Sequence, residues 1–179
     1  MQGKPLCISL HGVLLDVLGV GVLILGKSGI GKTECALDLV MRGHRLVADD
    51  LIQIEKGPDG ALSGFSHEQG RHHMEIRGLG IIDIEKLFGI SATSEKKQIE
   101  LVIELVGPDE SIIDRMGLET ETYTIMEQEI TRKRIPVRPG RNLSAIVEVA
   151  ARDHLLKKRG YHVAREFEQN LLKSIKKRR

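Results

Sequence analysis

Tryptophan is absent, aromatic residues make up 3% of the 179, and cysteine occurs only twice. Each shortage removes a class of function. Few aromatics leave few platforms on which bases can stack, which argues against a nucleic-acid binder. Cys7 and Cys35 have no metal-type spacing and read as reduced thiols of a cytoplasmic protein rather than as a disulfide framework. The longest apolar stretch, Gly12 to Gly26, is broken by Asp16 and too short to span a bilayer. With no secretory signal either, no membrane role is expected.

Charge is nearly balanced overall but unevenly placed. The net charge is +2, yet from Lys157 to Arg179 nine lysines and arginines face two glutamates, so the tail is basic and the body acidic. Such a tail reads as a solvated helix end or as a surface for an acidic protein or a neighbouring subunit. At 41% hydrophobic, the chain can bury one sizeable core, and residues 1–179 are expected to form a single catalytic domain.

The sequence is organised around residues 20–33. Val20 to Leu25 is a short aliphatic run of the kind that forms a buried strand, and it stops at a glycine. Gly26-Lys27-Ser28-Gly29-Ile30-Gly31-Lys32-Thr33 then fits G-x-x-x-x-G-K-[ST] at every specified position. Glycines at these points let successive N–H groups turn toward an anion, and a helix starting near Lys32 adds the positive end of its dipole. Lys32 is the candidate partner of the β- and γ-phosphates, and Thr33 the candidate hydroxyl for Mg²⁺. Ala36, Leu39 and Val40 share one face of the following helix, and Gly43 stands where it should end.

Before this loop, residues 6–17 read as two short strands turning at His11-Gly12, with His11 an edge or core histidine. After it, Arg45 to Ala48 reads as a strand ending in Asp49-Asp50, the Walker-B pattern. One such carboxylate can hold Mg²⁺ and a second can take a proton from an attacking hydroxyl. Leu51 to Glu55 alternates toward a turn at Gly57-Pro58-Asp59-Gly60, so a hairpin is expected. Residues 63–73 read as a polar loop. Its three histidines with Glu75 lack a zinc spacing. In Met74 to Ile84, charge and glycine interrupt an apolar segment, which marks a site or a bend; the plainer alternative makes Glu75 and Arg77 a surface pair on an edge strand.

Ile99 to Val106 is a half-exposed strand that ends at Gly107-Pro108, and Asp114 to Leu118 a charged turn. Weaker strands are expected at 123–126 and 128–130. The segment Ile135 to Asn142, with Arg138 and Arg141 around Pro139-Gly140, suits an anion site. Two helices, 143–159 and 162–177, close an α/β fold whose nucleotide-binding core carries a mixed sheet.

The phosphate loop, Asp49-Asp50, the segment Met74 to Ile84 and Val137-Arg138-Pro139-Gly140-Arg141-Asn142 occur together in this order. The combination resembles bacterial HPr kinase/phosphorylase along nearly the whole chain. The resemblance implies a phosphoenolpyruvate carboxykinase-like catalytic domain that uses ATP, and in many members pyrophosphate, to phosphorylate a serine of the phosphocarrier HPr. It also implies removal of that phosphate by inorganic phosphate, hexameric assembly and, in family members, a further N-terminal domain, which is not expected within residues 1–179. By matching motifs, Asp50 is the proton acceptor and donor, with His11, Lys32 and Arg115 the other active-site residues. Thr33 and Glu75 bind Mg²⁺, and Val137 to Asn142 serves the phosphorolysis direction. Lys27 departs from the family in adding positive charge inside the loop. Two other readings of the P-loop stand beside this one: a small-molecule kinase, and a regulator that senses a nucleotide without turnover. The paired aspartates favour turnover.

Overall fold

The computed structural model describes residues 7–108, 120–163 and 167–168. Its centre is an antiparallel pair, β1 (Cys7–Val17) and β2 (Val20–Gly26). Alternate residues of these strands point to opposite faces, as the two-residue period of a strand requires. Val13, Leu15, Val22 and Ile24 enter one core cluster, and Leu14, Leu23 and Leu25 the other. The expected turn at His11-Gly12 is not there: β1 runs straight through it. Gly12 is needed for a close approach instead, since a Cβ on it would lie 2.8 Å from the Ile24 carbonyl oxygen. The reversal occurs at Leu18-Gly19, both at positive φ, where the Asp16 side chain accepts the Gly19 N–H at 2.8 Å. Leucine is a poor marker of such a turn.

After β2 the chain enters helix α1 (Lys32–Met41), which ends where expected, with Gly43 at φ +93. Strand β3 (Arg45–Lys56) corrects a second expectation. Asp49-Asp50 does not end a strand but lies inside a 12-residue one, in which Asp50 adopts φ +68. The anticipated hairpin follows, through β4 (Leu62–Ser66), so the polar loop shrinks to residues 67–72 with one 3₁₀ turn. Strands β5 (His73–Ile76) and β6 (Gly80–Asp83) form a separate two-stranded hairpin, and Asp83 caps the short helix α2 (Ile84–Phe88) by accepting the Lys86 N–H at 3.0 Å. That helix was not foreseen.

Strand β7 (Lys96–Gln98) adds an edge, β8 (Leu101–Val106) falls within the expected strand but is buried on both faces rather than half-exposed, and β9 (Glu121–Ile125) and β10 (Gln128–Pro136) form a hairpin. Eight strands make one sheet in the order β7-β4-β3-β1-β2-β8-β10-β9. It is mixed, because β8 runs parallel to both β2 and β10. Helices α1 and α3 (Leu143–Lys158) cover one face through Leu39, Val40, Val147 and Ala151. The second core cluster is built from strands and the connection before β8 (Leu23, Ile52, Ile54, Ile99, Val102 and Ile130 among them), so the sheet curls around it. Fully burying one such side chain contributes about 1.5–3 kcal/mol. Of the helix expected at 162–177, His162 is not helical and Val163, Phe167 and Glu168 are; its other residues, and the charged turn at 114–118, lie outside the described residues. Among the described residues, no helix is long and apolar enough to cross a membrane.

Candidate active site

The phosphate loop joins β2 to α1, and its shape depends on three glycines. Gly26, Gly29 and Gly31 have φ of +147, +76 and +105, conformations that other residues adopt only with strain. Gly31 is the N-cap of α1 and has no side chain to offer, so no side chain caps the helix's first N–H groups. An uncapped helix start behind a glycine loop is suited to an anion. Lys32 Nζ lies across the loop, donating to the carbonyls of Gly26 at 2.8 Å and Lys27 at 3.0 Å.

Strand β3 delivers the two carboxylates beside this loop. Thr33 donates its hydroxyl to Asp49 Oδ1 at 3.3 Å. Burial pushes the Asp49 carboxyl up to about 6, helped by the neighbouring Asp50 charge and opposed by bonds from the Glu75 N–H, the Thr33 hydroxyl and the Asp50 N–H. Asp50 differs: its side chain is 85% exposed and stands 3.4 Å from Nδ1 of an equally open His11. The β1–β3 register sets this pair, placing Gly12 opposite Asp50 and His11 opposite Leu51.

A cavity of about 280 Å³ collects Ser28, Thr33, Asp49, Asp50, Glu75 and Arg77. A wider one, about 520 Å³, shares Asp49, Asp50 and Glu75 with it and opens toward Ser66, His67 and His73. The carboxylates therefore form a wall common to two chambers. A third cavity, about 480 Å³, sets Val137 to Asn142, Pro139 excepted, against Ile30, Gly31 and Glu34, on the other flank of the start of α1. Arg141 there donates to the Pro136 carbonyl at 3.1 Å.

Most of the residues expected from sequence thus converge. Lys27 contributes through its backbone, Ile30 faces the third cavity, and Arg115 lies outside the described residues. Arg77 was missed as a site residue. It is no surface partner of Glu75: a Cβ on Gly29 would lie 3.3 Å from its guanidinium, so Arg77 hangs over the phosphate loop. The glycine-interrupted Met74 to Ile84 segment was the available signal. Among the described residues, no cluster of three His, Cys, Asp or Glu forms a closed metal cage. Thr33, Asp49 and Glu75 nevertheless fit Mg²⁺, which takes one or two carboxylates and completes its shell with water and substrate phosphate.

The profile of the HPr Serine kinase C-terminal domain family matches residues 6–171. The chain belongs to this family. An HPr kinase/phosphorylase of Geobacter sulfurreducens is 63% identical over 164 residues, covering 91% of this chain and 51% of that protein. One from Caldanaerobacter subterraneus is 51% identical over 169 residues, 94% and 55% respectively. The structure of an Hpr(Ser) kinase/phosphatase from Coxiella burnetii matches with TM-score 0.80 at 35% identity, over 89% of this chain and 98% of that one. The chain spans about half the length of the curated relatives it matches.

Proposed function

We propose that this chain, as a single catalytic domain of phosphoenolpyruvate carboxykinase-like design, transfers a phosphoryl group from ATP to a serine of HPr and returns it to inorganic phosphate. The observation that carries the reading is the shared carboxylate wall, Asp49, Asp50 and Glu75, between the phosphate-loop chamber and the open one. It leaves room for a phosphoryl donor on one side and a protein hydroxyl on the other. Pyrophosphate as an alternative donor, and assembly into hexamers, complete the proposal by family resemblance.

In the forward direction Gly26 to Thr33 holds the donor's phosphates, and Lys32 and Arg77 neutralise charge on the moving group. Asp50, exposed and beside His11, takes the seryl proton as the seryl oxygen bonds to phosphorus and the bond to the ADP oxygen breaks. His11 orients that carboxylate. Bound Mg²⁺, held by Thr33, Asp49 and Glu75, would supply charge neutralisation on the phosphate oxygens. In reverse, a phosphate oxygen attacks the phosphoserine phosphorus, pyrophosphate forms, and the seryl oxygen leaves with the proton of Asp50. Arg138 and Arg141 would bind the incoming phosphate.

Incubation with HPr, Mg²⁺ and γ-labelled ATP, followed by mapping of the modified residue, tests this. Label on a serine of HPr is the expected result. Turnover of a small molecule instead, or nucleotide binding without transfer, would overturn it.

A further inference from the structure

The arginine loop shares a cavity with Ile30 and Gly31 of the phosphate loop, and it is hung on the helix that grows out of that loop. Asp38 is the seventh residue of α1, about two turns beyond the cradle. Its carboxylate accepts the Ser144 hydroxyl and, at 2.9 Å, Arg42 Nε. Ser144 is 3% exposed and stands just inside α3. Its neighbour Asn142 caps that helix by accepting the Ala145 N–H at 3.0 Å, with Asn142 Oδ1 also 2.8 Å from Ser144 Oγ. One turn further, Glu148 meets His44 Nε2 at 2.7 Å and Arg42 at 3.4 Å. Two clasps therefore lock α1 and the turn after it to α3, and the first grips the residue next but one to the loop's end.

The loop itself is a compact unit. Arg141 N–H returns to the Arg138 carbonyl at 3.2 Å, and the Arg141 guanidinium closes on Pro136. Both arginines are exposed, and among the described residues neither has a carboxylate within ion-pair distance, whereas the clasp beneath them is satisfied. A displacement of Ser144 would carry the whole unit with it.

We propose that Asp38 is a positioning residue: through Ser144 it fixes where Arg138 and Arg141 stand relative to the phosphate cradle, and thereby sets the affinity for inorganic phosphate in the reverse reaction. This rests on the reading that the loop takes that phosphate. The Ser144 bond and then the Arg42 bond hold the Asp38 carboxyl below its ordinary range, so the clasp is charged at neutral pH.

Asp38→Ala, Ser144→Ala and the double variant are compared with wild type in both directions. Each single variant is expected to raise the KM for inorganic phosphate at least about fivefold. It should change the kcat of phosphorolysis, and kcat/KM for ATP in the kinase direction, less than about twofold. The double variant should be no worse than the poorer single one, since both remove one contact. A merely structural role would lower both directions together, and that outcome overturns the proposal. Asp38→Asn, which keeps an acceptor, serves if the alanine variant does not fold, and should fall between the two. Arg141→Ala is the internal control. If it raises the phosphate KM while Asp38→Ala does not, the coupling is wrong and the loop's role stands; if neither moves it, both fall.

Discussion

Thr33 Oγ1 and Asp49 Oδ1 stand 3.3 Å apart although sixteen residues separate them. This contact ties the first turn of α1 to the middle of β3, and it joins a phosphate-binding loop to a carboxylate that the fold holds at a cost. With its pKa pushed up to about 6 from 3.8, Asp49 binds a proton more readily in the folded chain than in the unfolded one. Between about pH 4 and pH 6 the folded state therefore carries more protons, and stability falls as pH rises through that window. Asp49→Asn should remove this slope and stabilise the metal-free protein above pH 6 by on the order of 1–3 kcal/mol. Denaturant unfolding at pH 4.5 and 7.5 checks it; the same variant should lose Mg²⁺-dependent transfer. A variant no more stable than wild type at pH 7.5 would mean the buried carboxylate is fully compensated.

Lys32 carries no core volume and bonds two loop carbonyls, so its loss should spare the fold. Lys32→Ala is expected to reduce phosphoryl transfer at least about a hundredfold, roughly 2.7 kcal/mol of barrier, because the charge aimed at the β- and γ-phosphates is gone. Circular dichroism and the labelled-ATP assay on one preparation decide it. Near wild-type activity would remove the loop from the mechanism.

Asp50 keeps its place in β3 opposite Gly12 at φ +68 and is 85% exposed, a geometry that suits a group waiting for a substrate hydroxyl rather than a buried metal ligand. Asp50→Asn keeps the shape and loses the basicity. It should cut both directions of transfer about a hundredfold or more while leaving nucleotide affinity within about threefold. An equal loss of affinity would shift the proton-accepting role to Asp49.

The phosphate loop was legible because its glycines, lysine and threonine act through local backbone geometry, which a linear motif encodes. The position of the paired aspartates beside the phosphate loop was legible, but the strand that continues past them was not. A strand that passes through a left-handed residue at Asp50 leaves no periodic trace, so it reads as ending there. Gly12 misled for the opposite reason: a glycine that allows two backbones to approach looks the same in sequence as one that allows a turn. Arg77 was hidden because its role is set by tertiary contact. Nothing within residues 74–84 says that the turn of this hairpin reaches Gly29, forty-eight positions earlier.

Arg77 supplies a prediction of its own. Its guanidinium lies beside Gly29 of the phosphate loop, where the proposed mechanism has it share with Lys32 the neutralisation of the moving phosphoryl group. Arg77→Lys keeps the charge but not the planar fork, and Arg77→Ala keeps neither. The expected order of transfer rates is wild type, then lysine, then alanine, with the last down at least tenfold. Alanine and wild-type proteins of equal rate would return Arg77 to a bystander.

On the proposed function, the loop 137–142 would separate the two directions of the reaction. Phosphorolysis must bring inorganic phosphate in as a nucleophile, whereas the kinase direction receives that phosphate within ATP, already held by Gly26 to Thr33. The reverse reaction therefore needs one more anion site. The third cavity brings Arg138 and Arg141 together beside Gly31 and Glu34, which also line the chamber that holds Asp50. A guanidinium can grip phosphate oxygens bidentately, and Pro139-Gly140 holds the two side chains in one compact turn. Arg141→Ala should lower dephosphorylation of phosphoserine-HPr at least about tenfold more than phosphorylation, a difference of roughly 1.4 kcal/mol in barrier. Both rates are measured on the same preparation. Equal losses would place the loop in a step common to both directions, and a larger loss of kinase activity would move it to the ATP side.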